Sequence, residues 1–238
     1  FRDPIDDLCF HNIFRRNDMH TVSISSFPER HSSWWFNAGL NETYNVGKCG
    51  IELGEEVIPV ALDWLDRKGA EDNWYLHVHI WDPHTPYRTP AEFGEPFKDE
   101  PTLDWITQEV LEKHKKHVGP HSIMETNMYN DQIGLEYPRQ PGKCETMDEL
   151  KKFLDGYDTG ILYSDFLIGQ VIDRLKVMGI YEDTAIVITS DHGENMGELG
   201  IYGEHGTADQ PTCHIPMIIK WPGMAKNKVD NDLHYSLD

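Results

Sequence analysis

Residues 184–223 read TAIVITSDHGENMGELGIYGEHGTADQPTCHIPMIIKWPG, and they contain the clearest structural pattern of the chain. The β-branched run at 185–189 predicts a buried strand of a parallel sheet. It breaks abruptly into the sequence SDHGE at 190–194. In an open α/β sheet, ligands bind in the loops beyond the carboxyl ends of the strands. Asp191 and His192 therefore form half of a candidate metal site, although a plain polar strand exit explains the three letters DHG equally well.

A second candidate residue follows another predicted strand. Residues 73–81, NWYLHVHIW, place Tyr75, His77, His79 and Trp81 on one face and apolar side chains on the other, a period of two that is typical of a strand. The sequence DPHTPY follows at 82–87, and its two prolines stop the strand and fix a turn. His84 thus also lies just past a strand end, although a histidine between prolines is most often only a turn residue.

Three stretches have the apolar spacing of amphipathic helices. They are residues 55–68, which end at Gly69; residues 102–117, with Leu103, Ile106, Val110 and Leu111 facing inward; and residues 147–178, which end at Gly179. On the second helix, His114 and His117 stand beside two lysines and are interpreted as a solvated basic face, not as metal ligands.

Two further stretches have no regular spacing. The adjacent residues Trp34 and Trp35 favour core packing, with an aromatic wall for a sugar ring as the alternative. Residues 119–144 are interrupted by proline and glycine and predict an insertion loop near the mouth of the site.

These blocks resemble the sulfatase family of the alkaline phosphatase superfamily. The resemblance is strongest at 74–87 and 157–223, where the helix text YDTGILYSDFLIGQVIDRL, the SDHGE turn, a glycine-rich loop with His205, a strand at 215–220 and the letters WPG follow one another. It implies an α/β fold, an alkaline phosphatase-like mixed, mostly parallel sheet flanked by helices. Residues 1–238 are then expected to be part of a sulfatase catalytic domain, incomplete and truncated at both ends.

The resemblance also implies roles for individual residues. Asp191 and His192 match two protein ligands of the family's cation, usually Ca²⁺, with Mg²⁺ or Mn²⁺ as alternatives. His84 matches the histidine that contacts the leaving-group oxygen. His205 stands where a lysine commonly contacts the sulfate, and it must be protonated to give the same charge. His214 stands where an arginine is common.

The family's nucleophile is a formylglycine hydrate, made from Cys or Ser in a C/S-x-P-x-R motif. The pair Asp6-Asp7 and the sequence SFPER at 26–30 match the family's Asp pair and this motif literally. No hydrophobic strand precedes Asp6, and Ser26 stands much nearer to His84 than in the family, so we interpret both matches as coincidence. The formylglycine and two metal ligands are therefore expected outside this chain, which alone is predicted to hydrolyse nothing.

The amino-acid composition argues against several classes of binding partner. The 41 acidic against 21 basic residues give a net charge of -20, which argues against a nucleic-acid partner. No apolar run approaches the roughly 18 residues of a membrane span, so a soluble protein is expected. The four cysteines lack C-x-x-C spacing and argue against a zinc site. The compartment, periplasmic, secreted or other, and the oligomeric state are left open.

The implied enzyme is a sulfatase-type hydrolase that acts on a sulfated glycan or another small sulfated molecule. Two alternatives stay open. A phosphonate or phosphodiester hydrolase of the same superfamily would use the same Asp-His pair but would turn over phosphonates faster. A non-catalytic binding relative would keep the fold, although retention of Asp191, His192 and His84 argues against it.

Overall fold

The computed structural model describes residues 9–126, 139–224 and 227–235. Asp6-Asp7 and residues 127–138 of the predicted insertion loop lie outside them. In chain order the elements are α1 (Phe10–Arg16), β1 (His20–Ile24), α2 (Phe27–Arg30), a 3₁₀ turn (Trp34–Asn37), β2 (Glu42–Tyr44), α3 (Gly54–Lys68), β3 (Trp74–Val78), a 3₁₀ turn (Ala91–Phe93), α4 (Gln108–His114), α5 (Met147–Val177), β4 (Ile186–Thr189), β5 (Asn195–Met196), β6 (Tyr202–Glu204), α6 (Gln210–Cys213) and β7 (Met217–Lys220). The predicted α/β class is confirmed.

Three parallel strands position the candidate site, in the order β2-β1-β3. His20 of β1 lies opposite Trp74 of β3, and Ile24 lies opposite Val78. Because all three strands run in the same direction, their carboxyl ends meet at one edge. The chain leaves that edge from β1 into α2 and from β3 into the predicted turn at 82–87.

Helices α3 and α5 cover one face of this sheet. Trp64 and Leu65 of α3 pack with Val22 of β1 and with Leu175 of α5 in a buried cluster. Helix α5 begins after Thr146, whose hydroxyl accepts the N–H of its third residue. Both helices agree with the predicted ranges to within one residue at each end.

Aromatic and histidine side chains cover the opposite face of the sheet. Tyr75 packs against the phenylalanine rings of α1. Hydrogen bonds of 2.9 Å join Ser23 Oγ to His77 Nδ1 and Ser25 Oγ to His79 Nδ1, and so link β1 to the chain of β3. Burial lowers the pKa of His77 to about 3, so this histidine is a neutral hydrogen-bonding partner at pH 7.

The strand predicted at 185–189 forms as β4, but in other surroundings than expected. It pairs antiparallel with β7, with Ile186 opposite Lys220, and within the described ranges no ladder joins it to the parallel sheet. Val187 is 53% exposed. The prediction of a buried parallel strand was therefore wrong, because β-branched residues favour a strand of either direction and burial depends on its neighbours. The strand predicted at 215–220 is confirmed as β7.

Helix α4 is shorter than the predicted range of 102–117. It starts at Gln108 because the Thr107 hydroxyl accepts the N–H of Val110 and caps the helix. Ile106 and Leu111 are buried as predicted, whereas Leu103 is 57% exposed. The inward position predicted for Leu103 was wrong, because helical spacing does not set the direction of side chains before Gln108.

A second core lies between α4, α5 and β6. Tyr87, Phe153 and Tyr202 are buried there with Ile123. His114 is also buried, and its Nδ1 lies 2.8 Å from the hydroxyl of Tyr202. The interpretation of a solvated face was therefore wrong for His114, because a hydrogen-bonding partner from a distant strand lies against it.

Trp34 and Trp35 are 61% and 72% exposed, so the prediction of core packing was wrong. They belong to a 3₁₀ turn, in which successive side chains point about 120° apart. Only Phe36 of the three aromatic residues turns inward, where its ring contacts His11 and His77.

Candidate active site

His84 lies in the turn that follows β3. Its N–H donates to the carbonyl of Trp81 at 2.9 Å, and its own carbonyl accepts the N–H of Tyr87 at 3.0 Å. Its Nδ1 donates to the carbonyl of Thr85 at 2.6 Å, which leaves the lone pair on Nε2 for a ligand. Burial lowers the pKa of His84 to about 3, so the imidazole is neutral at pH 7.

Close contacts with two helices hold this turn. Asp82 is fully buried, and its Oδ2 accepts the N–H of Gly54, the first residue of α3, at 2.7 Å. Burial raises the pKa of Asp82 to about 6, and the hydrogen bond from Gly54 acts in the opposite direction. A Cβ at Gly160 of α5 would lie 3.0 Å from the Cα of Pro83. Gly160 thus allows the long helix to pack directly against the backbone that bears His84.

Asp191 and His192 lie in the loop that follows β4. His192 Nδ1 donates to the carbonyl of Gly193 at 2.8 Å, and His192 Nε2 lies 3.7 Å from Asp191 Oδ2. A metal-bound histidine typically donates its other ring N–H in this way. A Cβ at Gly193 would lie 2.0 Å from the carbonyl oxygen of Pro211, so only glycine lets the loop approach α6 so closely.

The β5–β6 hairpin brings Glu194 to His205. The Glu194 side chain is 3% exposed, and its Oε1 accepts from His205 Nδ1 at 3.3 Å. This hydrogen bond raises the pKa of His205 and outweighs the opposite effect of burial. His205 therefore stays protonated to higher pH than an ordinary histidine, which is the state that a contact with an anion requires.

The rings of His84, His192 and His205 form one cluster. His192 and His205 are stacked, with centroids 4.0 Å apart and planes 14° apart. The edge of His84 meets them at centroid distances of 5.0 Å from His205 and 6.4 Å from His192. The structure thus brings together all four residues predicted for the site, since Asp191 is the neighbour of His192.

Asp191 and His192 fit a divalent cation in part. Their facing atoms, 3.7 Å apart, can both contact one ion at bond lengths of about 2.0–2.6 Å. Within the described ranges, however, no group of three or more His, Cys, Asp or Glu side chains is placed to hold a metal. A cation here would need further ligands, since calcium takes about six to eight oxygens.

Sequence reasoning did not assign two residues of the site. Glu194 belongs to the SDHGE motif, but its role depends on the hairpin that brings His205 to it. Gln140, at the described end of the predicted insertion loop, accepts from the hydroxyl of Thr85 at 2.7 Å. This contact, next to His84, agrees with a loop at the mouth of the site.

Ser26 lies at the same edge of the sheet, directly after β1. It is 1% exposed; its hydroxyl donates to Glu52 and accepts from Trp81 Nε1 at 3.0 Å. We still interpret the match of SFPER to the C/S-x-P-x-R motif as coincidence, and no observation tests this interpretation. His214, at the position where the family commonly has arginine, is exposed at the end of α6.

The fold is that of an α/β protein of the alkaline phosphatase-like class. The structure of BT4656, solved in complex with its substrate D-glucosamine-2-N,6-O-disulfate, matches with a TM-score of 0.62 over 90% of this chain and 55% of that chain, at 15% identity. The family model described as Sulfatase matches residues 13–238. The chain belongs to the sulfatase family, and the resemblance read from its motifs is confirmed.

Curated relatives agree with this membership. A sulfatase of Formosa agariphila is 32% identical over 235 residues, which are 92% of this chain and 44% of that protein. A choline-sulfatase of Rhizobium meliloti is 26% identical over 211 residues, 83% of this chain and 38% of that protein. The chain therefore spans less than half the length of either relative. Among the described residues, no helix has the length and apolar character needed to cross a membrane.

Proposed function

We propose that the protein to which this chain belongs hydrolyses sulfate esters with the help of a divalent cation, and that the histidine cluster is part of its reaction centre. The supporting observation is the convergence of His84, His192 and His205 beside Asp191 in a chain of the sulfatase family. Sulfate ester cleavage needs a nucleophile at sulfur, a cation near the sulfuryl oxygens and a proton for the departing oxygen.

Asp191 and His192 would supply two ligands of the cation, Ca²⁺ in this proposal, with Mg²⁺ or Mn²⁺ as alternatives. When bound, the cation draws negative charge from the sulfuryl oxygens. The Gly193 carbonyl holds the proton on His192 Nδ1 and leaves Nε2 to face the ion. We assign the nucleophile to no described residue, and we propose a formylglycine from another segment of the protein.

His205 and His84 act on different oxygens in this proposal. His205, whose pKa is raised by the hydrogen bond to Glu194, donates to a sulfuryl oxygen. His84 lies beside the leaving oxygen and is neutral in the free protein. The negative charge of a bound sulfate ester favours the imidazolium form, whose Nε2 proton would pass to the departing oxygen.

A sulfated carbohydrate is the proposed substrate. One relative is a choline-sulfatase, and the structural neighbour BT4656 binds a disulfated glucosamine, so small sulfated alcohols are represented among similar proteins. The exposed indoles of Trp34 and Trp35 favour a sugar, because flat aromatic faces suit the apolar side of a sugar ring. This was the alternative interpretation of the tryptophan pair.

Side-by-side assays of the complete protein with a sulfate ester and the matching phosphonate ester test the proposal. We expect faster sulfate turnover, loss of activity in a chelator and recovery with Ca²⁺. The change Asp191→Asn should lower kcat/KM by about 100-fold or more, while Asp63→Asn on the surface of α3 should not. Faster phosphonate turnover would favour the phosphonate hydrolase instead, and turnover of neither ester would favour a binding relative.

A further inference from the structure

Arg30, the last residue of α2, is a half-buried cation without a carboxylate partner among the described residues. Arg67, Arg139 and Arg174 each pair with an acidic side chain. Arg30 forms no such pair with the acidic residues of those ranges. Among the described residues, its Nη1 donates to the carbonyl of Cys49 alone, at 3.5 Å. A guanidinium has five N–H donors, and the described part of the chain leaves most of them for a ligand.

The stem of Arg30 is held by the neighbouring loop. A Cβ at Gly50 would lie 2.4 Å from the Cδ of Arg30, and Gly50 has a φ of +81°. The N–H of Gly50 donates to Glu52 at 3.0 Å, and the other oxygen of Glu52 accepts from Ser26, just before α2. Glu52 therefore ties the Gly50 loop to the start of the helix that bears Arg30. This link restricts the Arg30 side chain and lowers the entropy cost of placing its guanidinium against a ligand.

The guanidinium shares an aromatic neighbour, Trp81, with His84 of the candidate reaction centre. It lies over the ring of Trp81, 5.1 Å from its centroid, and the same ring meets His84 edge-on at 5.4 Å. The charge of Arg30 is one of the causes that lower the pKa of His84, although burial is the largest. His192 and His205 contact His84 directly, whereas Arg30 reaches it across Trp81.

We propose that Arg30 determines substrate specificity by binding a second anionic group, a carboxylate or a second sulfate, on the alcohol portion of the substrate. The inference rests on the proposed function, which places the leaving oxygen beside His84 and the reacting sulfuryl group beside Asp191, His192 and His205. An anion that reaches Arg30 across Trp81 then belongs to the leaving group. The planar fork of a guanidinium matches both carboxylate and sulfate oxygens.

The test compares two substrates of the complete protein, a neutral sugar monosulfate and the same sugar with an added carboxylate or second sulfate. The variant Arg30→Met keeps the stem and removes the charge, and Arg67→Met on α3 is the matched control. The ratio of kcat/KM for the doubly anionic substrate to kcat/KM for the monosulfate should fall about 10- to 100-fold in Arg30→Met and stay within about twofold in Arg67→Met. Equal losses for both substrates, or no loss for either, would overturn the inference.

Equilibrium binding separates this inference from the proposed function. A sugar with a carboxylate but no sulfate ester should bind the wild-type protein and the Arg67→Met variant, and binding should weaken at least tenfold in Arg30→Met. This result is expected even if the wild type hydrolyses no sulfate ester, which would refute the proposed function alone. Equal binding by all three proteins would refute the role of Arg30.

Discussion

At the residue scale, a buried carboxylate controls the charge of the site. Glu194 is almost completely buried and hydrogen-bonds only one of the three clustered imidazoles, that of His205. The pKa of His205 is raised, while burial lowers that of His84 to about 3. The pKa values of these neighbouring histidines are therefore shifted in opposite directions, and this difference suits one to contact an anion and the other to receive and pass on a proton.

Replacing Glu194 should remove this difference. In Glu194→Gln the pKa of His205 should fall, because the carboxylate that raises it is the largest cause of the shift. The high-pH limit of activity should move to lower pH by the same amount. The Glu194–His205 pair stabilises the folded protein below the unfolded histidine pKa of about 6.5, and this stabilisation is lost as pH rises through the folded pKa of His205. The Glu194→Gln variant should lack this contribution. NMR titration of the His205 ring in the complete protein measures this, with the surface variant Glu71→Gln as control; an unchanged His205 pKa would contradict it.

Sequence reasoning identified the side chains that converge at the candidate site but not the contacts that surround them. Asp191, His192 and His84 could be predicted because each follows a strand pattern that ends in a turn. The link between Glu194 and His205 could not, because it depends on how the β5–β6 hairpin folds back. Sequence reasoning did not single out Arg30, because the residues around it, Gly50 and Trp81, lie in loops elsewhere in the chain.

At the element scale, the long helix α5 positions the turn of His84. Two of its glycines provide a matched comparison. A Cβ at Gly160 would lie 3.0 Å from Pro83 Cα and 3.1 Å from the carbonyl oxygen of Asp82, whereas a Cβ at Gly169 has nothing within 4 Å. The first glycine is needed for contact with the turn, and the second only lowers helix propensity.

The two alanine variants should therefore behave in opposite ways. Gly169→Ala should raise stability by up to about 1 kcal/mol, the gain in helix propensity. Gly160→Ala should lose that gain to overpacking, which costs about 1–3 kcal/mol, and should lower kcat by displacing His84. Thermal unfolding and steady-state rates of the complete protein measure both effects. Equal behaviour of the two variants would show that the contact with Pro83 does not position the turn.

The buried His77, which hydrogen-bonds Ser23 of β1, predicts that the folded protein loses stability in acid. Burial lowers the pKa of His77 to about 3, but an unfolded histidine titrates near 6.5. Between these values the unfolded chain binds the additional proton, so stability should fall as pH falls, by up to about 1.4 kcal/mol per pH unit. The variant His77→Asn should have a shallower decrease of melting temperature between pH 6.5 and 4, whereas the exposed control His214→Asn should not. Identical slopes in the wild type and His77→Asn would contradict this assignment.

Element types were easier to predict than their surroundings. The pattern of α5 is long and regular enough to fix its ends, and Thr146 and Gly179 add capping signals. The pattern of β4 predicted a strand but neither its antiparallel partner nor the exposure of Val187. A short apolar run does not specify direction or neighbours.

At the scale of the whole molecule, the described chain combines two structural units around one site. The parallel sheet with α3 and α5 supplies His84, while the β4–β7 pair and the β5–β6 hairpin supply Asp191, His192 and His205. The chain spans 38% and 44% of the two curated relatives described above. Catalysis is therefore a property to be measured on the complete protein.

The central claim is that His84 of this cluster protonates the leaving group of a sulfate ester, and the most direct measurement is the dependence of rate on that group. The complete protein and its His84→Ala variant are compared on activated aryl sulfates and on alkyl or sugar sulfates, with His214→Ala as control. We predict a loss of about 10²- to 10⁴-fold in His84→Ala for poor leaving groups, a much smaller loss for activated aryl esters, and no change in the control. Equal rates of His84→Ala and wild type across all leaving groups would contradict the claim.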